Sequence, residues 1–389
     1  MIIFIVVCNI ENITIFVAMK VLFDLTEIQP RADNIKFHGG GYYGEVIFFA
    51  LLKKTVDFIG IYNSKSYINP KILESGIKIY DINEISPQEV IEKEHIDTFY
   101  TPLYSERQLK VNRYLMTWHG LRMLEMADCG ISNYNYYNTF KIKGFIKNIF
   151  KRMVKKKYDK QAYVENAEYI TVSEHSKASI ISFYPHLAKS KIIVCYSPFM
   201  EENEAGDLPH GILPKTYFLL TSSARWEKNN LRAVWAFDEL FSKRKDIDFK
   251  VILTGVAKRK IFEKNLKNRD KFIFLGYIDR AELLSLHKNA YAFIYPSLNE
   301  GFGYPPMESM RYGVPVAASG TSSIPEVCQN AAIYFDPYNV SEIKNRIIQL
   351  LDRDIYEKYS ARATEHYKIV SERQKLDLEK AVNFILGNQ

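Results

Sequence analysis

Short apolar runs of β character alternate with helical stretches along most of the chain, and this alternation limits the fold more than any other feature. From Lys20 the runs are KVLFDL, YYGEVIFFALLKK, VDFIGIY, IKIYDI and IDTFYT; RYLMTW follows and ends at Trp118, and YITVS and KIIVCY close the first half near Tyr196. Strands in series with helical segments predict a parallel sheet with crossover helices. The stretch SPFMEENEAGDLPHGILPKT, rich in Pro, Gly and acids, reads as a linker. The pattern then restarts with TYFLLTSS, FKVILTG, KFIFLGY, AYAFIYPS, GVPVAAS and AAIYFDP, and from Val340 the chain reads as helix. With 389 residues there is enough chain for two cores. The expected organisation is an extension over 1–18, a first domain over 19–200, a linker over 201–215, a second domain over 216–370, and a C-terminal helix over 371–389 that crosses back to the first domain. Doubly wound sheets hold ligands outside the carboxyl ends of their strands, so residues at those ends are the functional candidates.

Composition excludes some alternatives. Apolar residues at 47% and charged ones at 25% fit a globular chain and exclude a disordered one. Four scattered cysteines, without a CxxC pair or a cysteine-histidine cluster, argue against a disulfide framework or structural zinc and fit a reducing cytoplasm. The net charge of +7 is local: KIKGFIKNIFKRMVKKKYDK, Lys141 to Lys160, holds nine Lys or Arg against one Asp. Phe140, Ile142, Phe145, Ile146, Ile149, Phe150 and Met153 recur there at helical spacing. Two readings stand level: a basic amphipathic helix on an anionic membrane surface, peripheral on the inner face of the plasma membrane, and a solvated helix whose stripe packs on the core. No nucleic-acid motif accompanies the basic run. Residues 1–18 are apolar but interrupted by Asn9, Glu11 and Asn12 and lack a positive n-region, so they read as neither signal peptide nor membrane span.

Several motifs fall at strand ends. HGGGYYGE, His38 to Glu45, contains GxGxxG in form, but it does not directly follow the first strand and Glu45 stands where a P-loop needs Lys. It reads as a glycine-rich loop with bare backbone at a helix start, suited to close approach by a diphosphate or sugar. His119 in TWHG follows a predicted strand and should face the crevice. In TSSARWEKNN, Arg225 and Lys228 stand beside the start of a helix, where cations are unfavourable unless an anionic ligand offsets them. In NEGFGYPPMESM, Glu300 lies in the loop after a strand, Gly301 and Gly303 leave backbone N–H groups uncovered, Pro305 suits a first helical position, and Glu308 lies about one turn in. Ionised carboxylates only accept hydrogen bonds, so hydroxyls, and above all vicinal diols, are their natural partners, while backbone N–H groups suit phosphate. A nucleoside diphosphate sugar meets both demands.

The run NEGFGYPPMESMRYGVPVAASGTSSIPEV closely resembles the signature of the retaining GT-B glycosyltransferases of family 4, and SSARWEKNN resembles that family's Arg and Lys phosphate-binding segment. The resemblance is strong from about Thr216 to Pro337 and looser before it. It implies an α/β GT-B fold, two Rossmann-like doubly wound parallel-sheet domains facing a central cleft. It further implies that Glu300 contacts hydroxyls of the donor sugar, Glu308 the ribose diol, and Arg225 and Lys228 the departing diphosphate. Gly301, Phe302 and Gly303 would offer backbone N–H groups, with Tyr304 beside them where leucine is commoner. Gly40 and Gly41 would close over the donor, Gly276 and Tyr277 would lie by the base, and His119 matches the histidine near the transferred sugar. The partners implied are a UDP- or GDP-sugar and a glycan or lipid-linked acceptor in bacterial surface polysaccharide synthesis, with no metal or other cofactor. Asp246-Ile247-Asp248 has the form of a DxD metal site but precedes a strand, so it reads as turn chemistry. An NAD-dependent oxidoreductase would rest on GxGxxG alone, and a catalytically silent sugar-nucleotide or membrane-binding protein remains the alternative of the same fold.

Overall fold

The computed structural model describes residues 19–30, 39–54, 57–103, 105, 107–126, 159, 162, 164, 166–199 and 205–388. The extension over 1–18 and the basic segment from Lys141 lie outside these, apart from Asp159. Among the described residues the strands form two parallel sheets. The first contains β1 (Val21–Asp24), β2 (Phe58–Tyr62), β3 (Ile79–Asp81), β4 (Thr98–Thr101), β5 (Arg113–Trp118), β6 (Ala167–Thr171) and β7 (Ile192–Val194), in the order β3-β2-β1-β4-β5-β6-β7. The second contains β8 (Tyr217–Leu220), β9 (Lys250–Leu253), β10 (Phe272–Phe274), β11 (Ala292–Tyr295), β12 (Val316–Ser319) and β13 (Ala332–Phe335), in the order β10-β9-β8-β11-β12-β13. Most of these strands are apolar and buried along their length because helices cover both faces of a parallel sheet.

The two orders share one consequence. In each sheet the chain adds strands to one side of the first strand and then switches to the other, between β1 and β4 and again between β8 and β11. The loops leaving two such strands diverge and open a crevice at their carboxyl ends. Arg225 and Lys228 follow β8, and Glu300 follows β11. The second sheet therefore delivers these three residues to its own switch point. Asp246 and Asp248 precede β9 at the opposite end and pair with Arg244 and with Lys271, the latter at 2.9 Å.

A single helix, Arg353–Ile385, runs without a break through the boundary that the sequence suggests at residue 370. Its first part packs on the second domain, with Ser360 donating to the Gly313 carbonyl at 2.7 Å and His366 pairing with the Val327 carbonyl at 2.7 Å. Its later part reaches the first domain. Gln374 donates to the Ser197 carbonyl at 2.5 Å, Asp377 accepts the Tyr196 N–H at 2.8 Å, and Arg113 donates to the Ile385 carbonyl at 3.0 Å. Val370, Ala381, Val382 and Ile385 belong to an apolar cluster that continues through Tyr196 and Phe302 into both domains. Asp377→Ala would leave a buried N–H without its acceptor, costing about 1–3 kcal/mol. The expected result is a lower melting temperature by calorimetry.

Candidate active site

After β8 the chain turns through Ser222 with φ 58° and a short 3-10 turn over Trp226–Lys228. Asn229 follows in the left-handed region at φ 59°, anchored because its side-chain amide donates to the carbonyls of Pro296 (3.0 Å) and Pro337 (2.7 Å). That lock ties the β8 loop to the β11 loop and drives Lys228 inward, leaving it only 4% exposed. Its ammonium meets Glu300 Oε1 at 2.5 Å and the Tyr295 hydroxyl at 2.8 Å. The same carboxylate oxygen accepts from Tyr295 at 2.7 Å and Ser297 at 2.5 Å. Burial favours the neutral acid at Glu300, but Lys228, Arg122 and Arg225 outweigh it and hold the carboxyl well below the usual range. Burial pushes Lys228 down to about 8, with Glu300 opposing and Arg225 and Arg122 reinforcing the shift. Arg225 is held by its neighbour Glu227, Nε to Oε1 at 2.8 Å. Arg225 and Lys228 thus each have a carboxylate beside them.

Glu308 lies on the helix Tyr304–Met310, which Gly303 enters at φ 108° and two prolines begin. Gly303 is required because that backbone is strained for any residue with a Cβ. Glu308 is 6% exposed, with Arg280 at 2.8 Å from one oxygen and His287 at 3.2 Å from the other. The His287 ring is fixed by Ser309 at 2.7 Å. Burial alone would raise this carboxyl; Arg280 and His287 bring it to about 2, so it stays ionised across the working pH range.

The first domain presses on the same loop. Ser173 donates to the Gly301 carbonyl at 2.7 Å and Ser176 to it at 3.2 Å. A Cβ on Gly301 would stand 1.9 Å from the His119 carbonyl oxygen. Glu326 accepts the backbone N–H groups of Glu174 and His175, both at 2.9 Å, at the start of the helix Glu174–Phe183. His119 lies at the end of β5, its ring 3.1 Å from the Pro102 carbonyl and edge-on to Tyr43 at 4.6 Å. The VSEHS segment, with little signal of its own in the sequence, is the first domain's seat for the Gly301 loop.

One expectation needs correction. Gly40 and Gly41 do not form an open loop: they lie in the first turn of the helix Gly39–Leu52. A Cβ on Gly40 would come within 2.6 Å of Leu103, and one on Gly44 within 2.1 Å of Ile28, so these two glycines serve close packing. Tertiary packing here overrides the poor helix propensity of glycine. The side chains of Phe302 and Tyr304 are turned into the protein, which leaves the expected backbone N–H groups of the Gly301–Gly303 loop as they were. Phe302 is buried edge-on against Tyr196 and Tyr304, and the Tyr304 hydroxyl donates to the Pro198 carbonyl at 2.9 Å. Their side chains form the joint between domains. Gly276 and Tyr277 lie beyond β10, with Tyr277 86% exposed.

Residues 209–369 match the family model described as "Glycosyl transferases group 1". This segment belongs to the group 1 glycosyltransferases. The O-antigen chain mannosyltransferase B of Escherichia coli is 30% identical over 200 residues, covering 48% of this chain and 51% of the relative. The chain therefore spans about half the length of the curated relatives it matches. Among solved structures, a sucrose-phosphate synthase from Thermosynechococcus elongatus aligns with a TM-score of 0.68 at 15% identity, covering 94% of this chain and 98% of that one. Anabaena Alr3699/HepE in complex with UDP aligns with a TM-score of 0.66 at 14% identity, covering 95% and 100%. At such identities the likeness speaks for the fold, which is GT-B.

Around the group 1 segment the structure adds residues that sequence reasoning missed. Arg122, three residues after His119, reaches from the first domain toward Glu300 Oε2 at 3.4 Å and Glu227 Oε1 at 3.6 Å. Arg280 and His287 hold Glu308, and Ser322 and Ser323 fix the backbone of Glu300 and Phe302. Among the described residues no group of three or more His, Cys, Asp or Glu is placed to hold a metal. No helix among them is long and apolar enough to cross a membrane. Gly301→Ala should unseat the two domains, because the new methyl would stand 1.9 Å from the His119 carbonyl oxygen and both are fixed by backbone. A misplacement of about 1 Å between groups that act together costs on the order of 100-fold in rate. A raised radius of gyration in small-angle scattering, together with that loss, is the expected outcome.

Proposed function

We propose that the protein transfers a sugar from a nucleoside diphosphate sugar to a hydroxyl of a glycan or lipid-linked glycan, with retention of anomeric configuration and without a metal, in bacterial surface polysaccharide synthesis. The observation that carries this reading is the presence, at the switch point of the second sheet, of Glu300 beside Arg225 and Lys228 and, one helix away, of a second buried, ionised carboxylate, Glu308. Acceptors for hydroxyls and cations for phosphate are the two demands of such a donor. The mannosyltransferase named among the relatives favours a hexose, and mannose first.

In the proposed reaction the bond from the anomeric carbon to the β-phosphate oxygen breaks, and Arg225 and Lys228 stabilise the charge that grows on the diphosphate. The acceptor oxygen forms its bond on the face the phosphate leaves, and its proton passes to a diphosphate oxygen. Glu300 orients the donor sugar, Glu308 holds the ribose diol, and neither serves as a protein nucleophile. His119 lines the sugar side from the first domain. Seating the protein on an anionic membrane through 141–160 would bring a lipid-linked acceptor within reach.

Release of nucleoside diphosphate from UDP-glucose, UDP-N-acetylglucosamine and GDP-mannose tests the reading, first without acceptor and then with lipid-linked glycans. If none of them is hydrolysed or bound, the reading fails. Glu308→Ala should weaken donor binding by roughly 10- to 100-fold, the value of a charge-assisted hydrogen bond. Glu300→Gln should lower kcat by roughly 10- to 100-fold with a smaller change in donor affinity, as read by calorimetry beside steady-state rates.

The pH dependence follows from Lys228. Its folded pKa is depressed to about 8, so it carries its charge below that pH and loses it above. The charged form holds the diphosphate, so kcat/KM for the donor should fall as pH rises through about 8. Arginine does not titrate in this range, so whatever activity Lys228→Arg retains should lack that alkaline limb.

A further inference from the structure

We propose that Arg122 is a third diphosphate-binding cation, carried by the first domain and directed at the phosphate next to the transferred sugar. The inference rests on the donor reading above and adds a residue from the opposite side of the cleft. Arg122 opens the helix Arg122–Glu125, directly after the His119-Gly120 turn that meets Gly301. Its guanidinium stands between two carboxylates, with one long hydrogen bond to Glu300 at 3.4 Å and an ion pair to Glu227 at 3.6 Å, both longer than an ordinary charge-assisted bond. Its Nε is buried and has no hydrogen-bond partner among the described residues. Arg225, by contrast, donates to Glu227 at 2.8 Å, and Arg113 donates to Glu168 at 2.8 Å. Arg122 has five donors in a planar fork and spends them poorly on protein.

Charge arithmetic gives the arrangement a direction. Arg225 and Lys228 balance Glu227 and Glu300, so the second domain alone presents a neutral cluster to an incoming diphosphate. Arg122 adds a positive charge beside Glu300 and Glu227, and it does so only when the two domains meet, while Glu125 on the same helix is taken up by Asn299 and His175. It lies on the outer oxygen of Glu300, the carboxylate assigned to the sugar, so the phosphate within its reach is the β-phosphate. The planar guanidinium matches two phosphate oxygens at once, which lysine cannot.

Isothermal titration of the wild type, Arg122→Gln and Arg122→Lys with UDP, GDP, UMP and GMP tests this. The diphosphate that the wild type binds should bind Arg122→Gln about 10- to 100-fold more weakly, while the matching monophosphate changes by less than about threefold. Arg122→Lys should fall between. Equal losses for monophosphate and diphosphate, or an unchanged diphosphate affinity, would overturn the assignment. If Arg122→Gln does not fold, Arg122→Lys decides alone, since loss of the fork must weaken the diphosphate by at least about threefold. Failure of the wild type to bind either diphosphate would instead remove the donor reading, and this inference with it.

Discussion

The buried pair of Lys228 and Glu300 is the contact on which the site depends. It joins the loop after β8 to the loop after β11, the two strands on either side of the reversal in strand order. Removing one partner of a buried pair leaves the other uncompensated, typically at a cost of about 3–5 kcal/mol. Tyr295 and Ser297 complete the carboxylate's bonds, which is the condition under which such a pair is tolerable at all. Once Glu300 is fixed, Ser322 holds its N–H and Ser323 holds the carbonyls on either side of Gly301. Gly301 is thereby offered to His119 and Ser173 of the other domain. The meeting of the domains is set by an ion pair inside one of them.

The electrostatics follow from the same arrangement. Clustered cations repel one another and resist burial, and Glu227 and Glu300 offset both penalties within the fold. The cluster is held rigid by protein groups, so little reorganisation remains for the moment when charge develops on a leaving group. Glu308 forms a second, separate unit with Arg280 and His287. Two ionised carboxylates are thus kept apart by their own counter-charges, which prevents either from acting as a proton donor near neutrality.

The architecture was legible in the sequence because each strand carries its own apolar run and each loop its own glycines, prolines or acids. Glu300, Arg225 and Lys228 were visible for the same reason, since a strand ends just before the segment that contains them, and Glu308 was visible as one turn into the helix that follows. Arg122 was not, because its role comes from a through-space approach to Glu227 and Glu300 across two domains. The glycines before Tyr42 misled through local chemistry. Three in a row suggest an open loop, yet Leu103 and Ile28 occupy the space that side chains at Gly40 and Gly44 would need, and so draw the segment into a helix. The side-chain contacts of Phe302 and Tyr304 were not legible, since only the fold brings Tyr196 and Pro198 against them.

The helix Arg353–Ile385 has a mechanical consequence. At 33 residues it extends roughly 50 Å, and it is bonded to the second domain near one end and to the first near the other. The chain also passes between the domains once more, between β7 and β8. Two crossings define a line, and a stiff rod along one of them resists both sliding and separation of the sheets. A rotation about that line would lift Gly301 from His119 and Ser173 while leaving the pair of Lys228 and Glu300 intact. The two domains are joined like the covers of a book whose spine is the last helix, with that ion pair held wholly in one cover.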